Sequence, residues 1–81
     1  MRIEDLRQYI NTGREIEFTY NKKNYSITYY NDNRKDYISF CEFYKETSDV
    51  SNIDELLKVT RDDVTVQEMI ESLSDDDYSV Y

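Results

Sequence analysis

The chain contains no histidine, no proline, no tryptophan and no alanine, and it has a single glycine and a single cysteine. Without histidine, neither a Ser-His-Asp triad nor a Cys-His pair can be assembled, and zinc sites that need histidine or several cysteines are excluded as well. One glycine is too few for a glycine-rich loop that cradles phosphate groups. The sequence therefore lacks the common catalytic and cofactor-binding arrangements, and we predict no cofactor.

Paired carboxylates are the catalytic groups that remain, because the chain has 18 aspartate and glutamate residues. Two carboxylates can hydrolyse a glycosidic bond or hold magnesium, but both need a shaped cavity, which a chain of 81 residues rarely contains. The alternating ligands, central glycine and distal glutamate of a calcium-binding EF-hand loop are also absent. We therefore expect a protein that is not an enzyme and has no metal site.

Cys41 has no second cysteine with which to form an internal disulfide bond. The first residues, MRIEDLRQYI, lack the long apolar run of a signal peptide or a membrane span. We expect a cytoplasmic protein in a reducing compartment, in which Cys41 is a small apolar side chain within a strand.

The stretch from Glu15 to Tyr44 predicts three consecutive β-strands. Apolar and polar residues alternate in its first two segments, as they do in strands with one buried face. Clusters of Asn, Asp and Lys predict turns at Asn21–Asn24 and Asn31–Asp36. The side chains predicted to share the buried face are Ile16, Phe18 and Tyr20 in the first strand and Tyr25, Ile27 and Tyr29 in the second.

The third predicted strand, Tyr37–Tyr44, does not show which of its faces is buried. Ile38 and Phe40 lie on one side, whereas Tyr37, Cys41 and Phe43 lie on the other. A bulge would explain this pattern, and so would burial of both faces.

Helical spacing of apolar residues precedes the strands. Ile3, Leu6 and Ile10 recur as on one face of a helix, which is predicted to run from about residue 3 to Thr12. Gly13 follows at the position where a left-handed residue commonly ends a helix. Its expected role is structural.

Two capping patterns after the strands predict two short helices. The overlapping sequences SNID and NIDE predict that the first helix begins near Ile53, and its pattern ends near Val59 or Thr60. Thr65 and Glu68 form a capping pair for the second. The residues predicted to face the sheet are Ile53, Leu56 and Leu57 in the first helix and Val66, Met69, Ile70 and Leu73 in the second.

These elements predict one α+β domain over residues 1–81, with an N-terminal helix, a three-stranded antiparallel meander and two short C-terminal helices packed on one sheet face. Residues 45–50 are predicted to form a polar loop, and the tail SDDDYSVY forms either a short edge strand or a loose end. The opposite sheet face would be exposed to solvent or would bind a partner. It would carry Glu15, Glu17, Thr19, Ser26, Thr28 and Tyr30.

The net charge of −8 is concentrated in the second half of the chain. Residues 1–41 hold six acidic and seven basic residues, a balance of +1, whereas residues 42–81 hold twelve acidic and three basic residues, a balance of −9. The acidity is therefore a property of the C-terminal half.

Two dense acidic clusters lie in that half. One interpretation is that they are solvated charges that only aid solubility. The other is that their carboxylates imitate phosphate groups and occupy the basic groove of a nucleic-acid-binding partner, with neighbouring tyrosines as anchors. The predicted partner-binding residues are Asp62, Asp63, Asp75, Asp76, Asp77, Tyr78 and Tyr81.

A second constellation combines basic and aromatic residues. Aromatic side chains on a sheet with cations at its turns can stack single-stranded nucleic acid. Alternatively, the turn lysines keep an edge soluble while the tyrosines fill the core, and the overall charge favours this alternative. The residues are Lys22, Lys23, Tyr25, Tyr29, Tyr30, Arg34, Lys35 and Tyr37.

The segments GREIEFTYNKKNYSITYY, IDELLKV and VTVQEMIESL resemble a pattern found in small uncharacterised proteins of AT-rich bacterial genomes and their prophages. The matching segments specify strand, turn and helix, so no functional residue is carried over from the resemblance. In size and acidity the chain also looks like phage-encoded inhibitors of bacterial defence, of which anti-CRISPR proteins are one class. This is a likeness of type without a shared motif.

The leading expectation is a non-enzymatic acidic binding protein that inhibits a bacterial nucleic-acid-targeting defence enzyme by partial DNA mimicry. No membrane and no direct nucleic-acid partner are expected. An alternative is a housekeeping or antitoxin-like interaction module that binds through the open sheet face. A single-strand nucleic-acid binder is a third possibility, and an exposed edge strand could also pair two copies into a homodimer.

Overall fold

The centre of the structure, a computed structural model that describes all 81 residues, is a five-stranded antiparallel sheet. The elements in chain order are α1 (Ile3–Asn11), β1 (Ile16–Tyr20), β2 (Lys23–Asp32), β3 (Lys35–Glu42), β4 (Thr47–Val50), α2 (Ile53–Lys58), β5 (Thr60–Arg61), β6 (Val64–Thr65), α3 (Val66–Ser72), a 3-10 turn (Asp75–Asp77) and β7 (Tyr78–Val80).

The sheet has the strand order β4-β3-β2-β1-β7, and β5 and β6 form a separate two-stranded ribbon. The predicted α+β class is confirmed, and so is the meander of β1, β2 and β3, but the sheet has two more strands at its edges. The prediction of a loop over residues 45–50 was wrong for Thr47–Val50, which pairs with β3. The tail forms an edge strand against β1, one of the two forms expected for it.

Both hairpins of the meander turn through two residues, which is tighter than predicted. Asn21 and Lys22 have φ angles of 50° and 65°, and Asn33 and Arg34 have 53° and 66°. Two left-handed residues in a row match the twist of hairpin strands, and asparagine tolerates the first position without glycine. The predicted turns were too wide because polar residues such as Asn24 continue the strands.

One face of the sheet carries the core. Phe18, Tyr25 and Phe40 form a stacked group across β1, β2 and β3, with ring centroids 5.3 to 6.2 Å apart. Ile38 and Phe40 are buried and Tyr37 is not, so β3 turns one face inward without a bulge. The three helices cover this face, since their buried residues join the same cluster. Its members are Leu6, Ile16, Phe18, Tyr25, Ile27, Ile38, Phe40, Leu56, Leu57, Val66, Met69, Ile70 and Leu73.

The helix ends agree with the predicted caps. Asn52 accepts a hydrogen bond from the backbone N–H of Glu55 at the start of α2, and Thr65 accepts one from the N–H of Glu68 at the start of α3. These bonds satisfy N–H groups that have no partner inside the helix. The β5–β6 ribbon between the two helices turns through Asp62 and Asp63, both of which are left-handed.

Gly13 ends α1 as predicted. Its φ angle is 72°, its N–H donates to the carbonyl of Ile10 at 3.0 Å, and the N–H of Arg14 donates to the carbonyl of Tyr9 at 2.9 Å. This pair of bonds is the Schellman motif, which directs the chain from α1 into β1.

We expect Gly13→Ala to lower the free energy of unfolding by about 1 kcal/mol or more, because a Cβ strains a left-handed backbone. No atom lies within 4 Å of the added Cβ, so the loss would come from the backbone alone. Urea unfolding followed by circular dichroism measures it. Asn11→Ala, at an exposed helical position, is the control, and equal stability of the two variants would contradict the interpretation.

Candidate interaction surfaces

The three aspartates of the 3-10 turn differ in whether their carboxylates are free to contact a partner. The Asp77 carboxylate accepts hydrogen bonds from the backbone N–H and the hydroxyl of Ser74, both at 2.9 Å, and these bonds lower its pKa below the usual range. Asp77 therefore caps its own turn. Asp75 accepts a hydrogen bond of 3.3 Å from the Tyr78 hydroxyl, and Asp76 is exposed with no hydrogen bond or ion pair within the chain.

In the second acidic cluster, Asp62 and Asp63, one carboxylate is paired and the other is free. Asp62 forms an ion pair with Lys23 of β2, which lowers the pKa of Asp62 and raises that of Lys23. Asp63 is exposed and unpaired at the tip of the β5–β6 ribbon. Of the five aspartates predicted as phosphate surrogates, Asp63 and Asp76 are therefore free, and Asp75 has one hydrogen bond.

The two tyrosines predicted as anchors point to opposite sides of the sheet. Tyr78 is paired with Phe18 and packs against the core, and burial raises the pKa of its hydroxyl. Side chains alternate between the two faces along β7, so Tyr81 lies on the face opposite the core. It is 63 % exposed there, and its hydroxyl donates to Glu17 Oε2 at 3.2 Å. The seven predicted residues do not form a single surface.

An exposed aromatic pair lies where β3 ends, at positions that the sequence did not indicate. Phe43 and Tyr44 meet edge to face with ring centroids 6.3 Å apart, and Tyr44 is fully exposed at a φ angle of 66°. Phe43 lines a depression of about 310 Å³ together with Asp76 and Asn24. The sequence analysis placed both residues inside the third predicted strand, Tyr37–Tyr44, whereas β3 ends at Glu42 and Tyr44 is left-handed.

The sheet face opposite the core is covered by no helix, and none of its residues is buried. Its aromatic pair is Tyr30 and Tyr37, stacked with centroids 5.1 Å apart, with the Lys35 ammonium 5.3 Å from the Tyr37 ring. The Tyr30 hydroxyl donates to Asp49 Oδ2 at 2.9 Å, and this hydrogen bond raises the pKa of Tyr30. We call this surface the open face; it comprises Glu17, Thr19, Asn24, Ser26, Thr28, Tyr30, Tyr37, Ser39, Cys41, Thr47, Asp49, Ser79 and Tyr81.

The structure separates the basic and aromatic residues that the sequence grouped together. Lys22 and Lys23 lie at one end of β2, whereas Arg34 and Lys35 lie beyond its other end. Tyr25 is buried. The surface group that remains is Tyr30 and Tyr37 with Lys35.

A cleft of about 600 Å³ lies where the end of α1 meets the β2–β3 hairpin and the start of α2. Ile10, Tyr29 and Ile53 are among its apolar lining residues. The Tyr29 hydroxyl donates to the carbonyl of Arg14 at 2.6 Å, and burial, with the nearby Glu15 charge, raises its pKa to about 12. The cleft holds tyrosine and Asp36 as its titratable groups, without a nucleophile beside a base.

Comparison with models of known protein families, with curated proteins and with solved structures found no match. None of the helices is long and apolar enough to cross a lipid bilayer. No three acidic or cysteine side chains come together as a group that could hold a metal ion.

We expect Asp77→Ala to destabilise the fold at neutral pH, since it removes the acceptor for Ser74. The folded pKa of Asp77 lies below its usual value, so its charged form stabilises the fold at neutral pH, and that stabilisation is lost as the pH falls through the lowered pKa. Denaturant unfolding at pH 7 and at about pH 2 should therefore show a difference from wild type only at pH 7. Asp76→Ala is the control, and an equal loss in that variant would contradict the capping role.

Proposed function

We propose that this chain is a non-enzymatic acidic binding protein, of the type that inhibits bacterial nucleic-acid-targeting enzymes by occupying their basic groove. The observation that carries the proposal is its excess of exposed carboxylates without a cationic partner. The chain has 18 acidic residues against 10 basic ones, and three ion pairs form, all at the surface. Exposed pairs contribute little to stability, so this acidity is not explained by the fold.

The acidic turn offers the best position for such contacts. Asp75 and Asp76 lie on a tight backbone turn next to the edge strand β7, and Phe43 lies against the same depression as Asp76. A carboxylate beside an exposed aromatic ring suits a lysine or arginine side chain, which can pair with the first and stack on the second. In this proposal Phe43 and Tyr44 take the anchoring role first assigned to Tyr78 and Tyr81.

The lining of this depression is consistent with a basic partner. It includes the carboxylates of Glu17, Asp76 and Asp77 and no lysine or arginine. A surface of one sign steers an oppositely charged partner during association and makes binding sensitive to salt. Duplex nucleic acid presents the same sign of charge, so it would compete with this chain for a basic groove.

A second candidate function is an interaction module that binds through the open face. It is favoured by the absence of any covering element over five strands and by the exposed Tyr30, which is 41 % accessible. Tyrosine supplies large, rigid contact area in protein interfaces. In this case the aspartates only aid solubility.

We predict that Asp75→Lys with Asp76→Lys abolishes capture of a nucleic-acid-binding protein from bacterial lysate by the immobilised chain. The substitutions leave Asp77 and its cap intact, so the variant should fold as the wild type does. Captured wild-type partner should be released by duplex DNA and by raising the salt concentration.

The matched control is Glu4→Lys with Glu71→Lys, which makes the same charge change on α1 and α3. If both variants capture the same protein as the wild type, or if DNA does not release it, the mimicry proposal is wrong. If Thr28→Arg with Tyr30→Ala removes capture and the aspartate variant does not, the open-face function is favoured instead.

A further inference from the structure

The β2–β3 hairpin extends beyond the rest of the sheet. β1 pairs with β2 only as far as Ile27, and β4 pairs with β3 only as far as Ile38. The three cross-strand pairs nearest the turn, the last of which joins Asp32 and Lys35, therefore have no strand on either side. The end of the hairpin is an arm that forms one wall of the cleft between α1 and α2.

The side of this arm that continues the core changes from apolar to polar along its length. Tyr29 and Ile38 are cross-strand partners on that side, and Ile38 is buried. Because side chains alternate along a strand, the next pair on the same side is Asn31 and Asp36. The Asn31 Nδ2 donates to Asp36 Oδ1 at 2.8 Å. This bond orients the carboxylate and leaves its second oxygen free to accept from a ligand.

The cleft is bounded on its other sides by the end of α1, with Ile10 and Gly13, and by the start of α2, with Ile53. Its volume of about 600 Å³ lies within the range of small-molecule sites, and half of its twelve lining residues are apolar. The Tyr29 ring is held in place by the 2.6 Å hydrogen bond from its hydroxyl to the carbonyl of Arg14. The site therefore combines fixed apolar walls with one oriented carboxylate.

The charge of the cleft is negative. Asp36 is the one charged residue that lines it. The nearest cations are engaged elsewhere, since Arg14 Nε donates to the carbonyl of Tyr81 at 3.2 Å and the Lys35 ammonium lies 5.3 Å from the Tyr37 ring on the open face. An anionic ligand would meet no counter-charge in the cleft, whereas a cationic ligand would find the free oxygen of Asp36.

We propose that this cleft binds a small organic cation, with a flat apolar body against Tyr29 and Ile53 and an ammonium group paired with the Asp36 carboxylate. Aromatic and aliphatic walls suit such a body, and the carboxylate fixes its orientation. A second copy of the chain is a poor occupant, because two molecules of net charge −8 repel each other. The inference goes beyond the protein-binding function proposed above, and its site lies at the other end of β2 from the acidic turn.

The test is a titration of the full-length ¹⁵N-labelled chain with tryptamine, a flat aromatic amine. Tryptophol has the same ring and a hydroxyl in place of the ammonium, indole-3-acetate carries a negative charge, and ethylamine is a cation without a ring. We expect tryptamine to bind about fivefold more tightly than tryptophol, a modest factor because Asp36 is exposed. Indole-3-acetate and ethylamine should cause no localised change. The amide signals expected to shift most are those of Gly13, Tyr29, Asn31, Asp36 and Ile53.

Asp36→Asn should reduce the affinity for tryptamine to that for tryptophol, since it removes the charge and keeps the oxygen that accepts from Asn31. The matched control is Asp32→Asn, which makes the same charge change on the opposite side of the same arm and should leave the affinity unchanged.

Absence of binding, equal binding of tryptamine and tryptophol, or shifts centred outside the cleft would each overturn the proposal. An equal loss of affinity in the Asp32 and Asp36 variants would overturn it too, because it would indicate general attraction of cations to an acidic chain. The capture experiment with the Asp75 and Asp76 lysine variant leaves the cleft intact, so this proposal and the groove-binding function can fail separately.

Discussion

Stacking of Phe18, Tyr25 and Phe40 on one side of the three central strands is the interaction on which the rest of the structure depends. Phe18 and Tyr25 are direct partners in the β1–β2 register, and the Phe40 ring lies 5.5 Å from that of Tyr25. Such pairs add about 0.5 to 1.5 kcal/mol each beyond the burial of their area. Because side chains alternate along a strand, a shift of one residue would expose all three rings, and the register is therefore fixed.

That register also determines what the opposite side of the sheet presents. With the aromatic group turned inward, the three helices cover the same side, and the intervening residues, including Glu17, Thr28 and Asp49, stay accessible. Charged side chains are excluded from so small a core, so the acidic residues of the C-terminal half occupy turns, helix surfaces and sheet edges. Packing thus gives the sheet one side that holds the core under the helices and one open side that carries Glu17 and Asp49.

Local patterns in the sequence predicted the central strands, the three helices and their caps, because alternation, helical spacing and capping act over a few residues. The edge strands β4 and β7 are short and half-exposed, and they are strands because β3 and β1 offer backbone partners. No local pattern shows such a partner, so β4 was predicted as a loop and the tail was left open between a strand and a loose end. The site prediction was limited in the same way. The ion pair of Asp62 joins residues 39 positions apart, and the inward orientation of Tyr78 follows from its pairing with Phe18. The Ser74–Asp77 cap is a local pattern, but the sequence analysis treated Asp77 only as one of three consecutive aspartates and did not identify it as a cap.

The central claim is that partners bind the acidic turn and the neighbouring open face of the sheet, and not the helices. The most direct measurement is amide hydrogen exchange of this chain, free and in complex with a partner captured from lysate. The account predicts added protection in β2, β3, β4, β7 and the Asp75–Asp77 turn, with none in the three helices. Protection concentrated in α1, α2 or α3, with unchanged exchange in the strands and the turn, would contradict it.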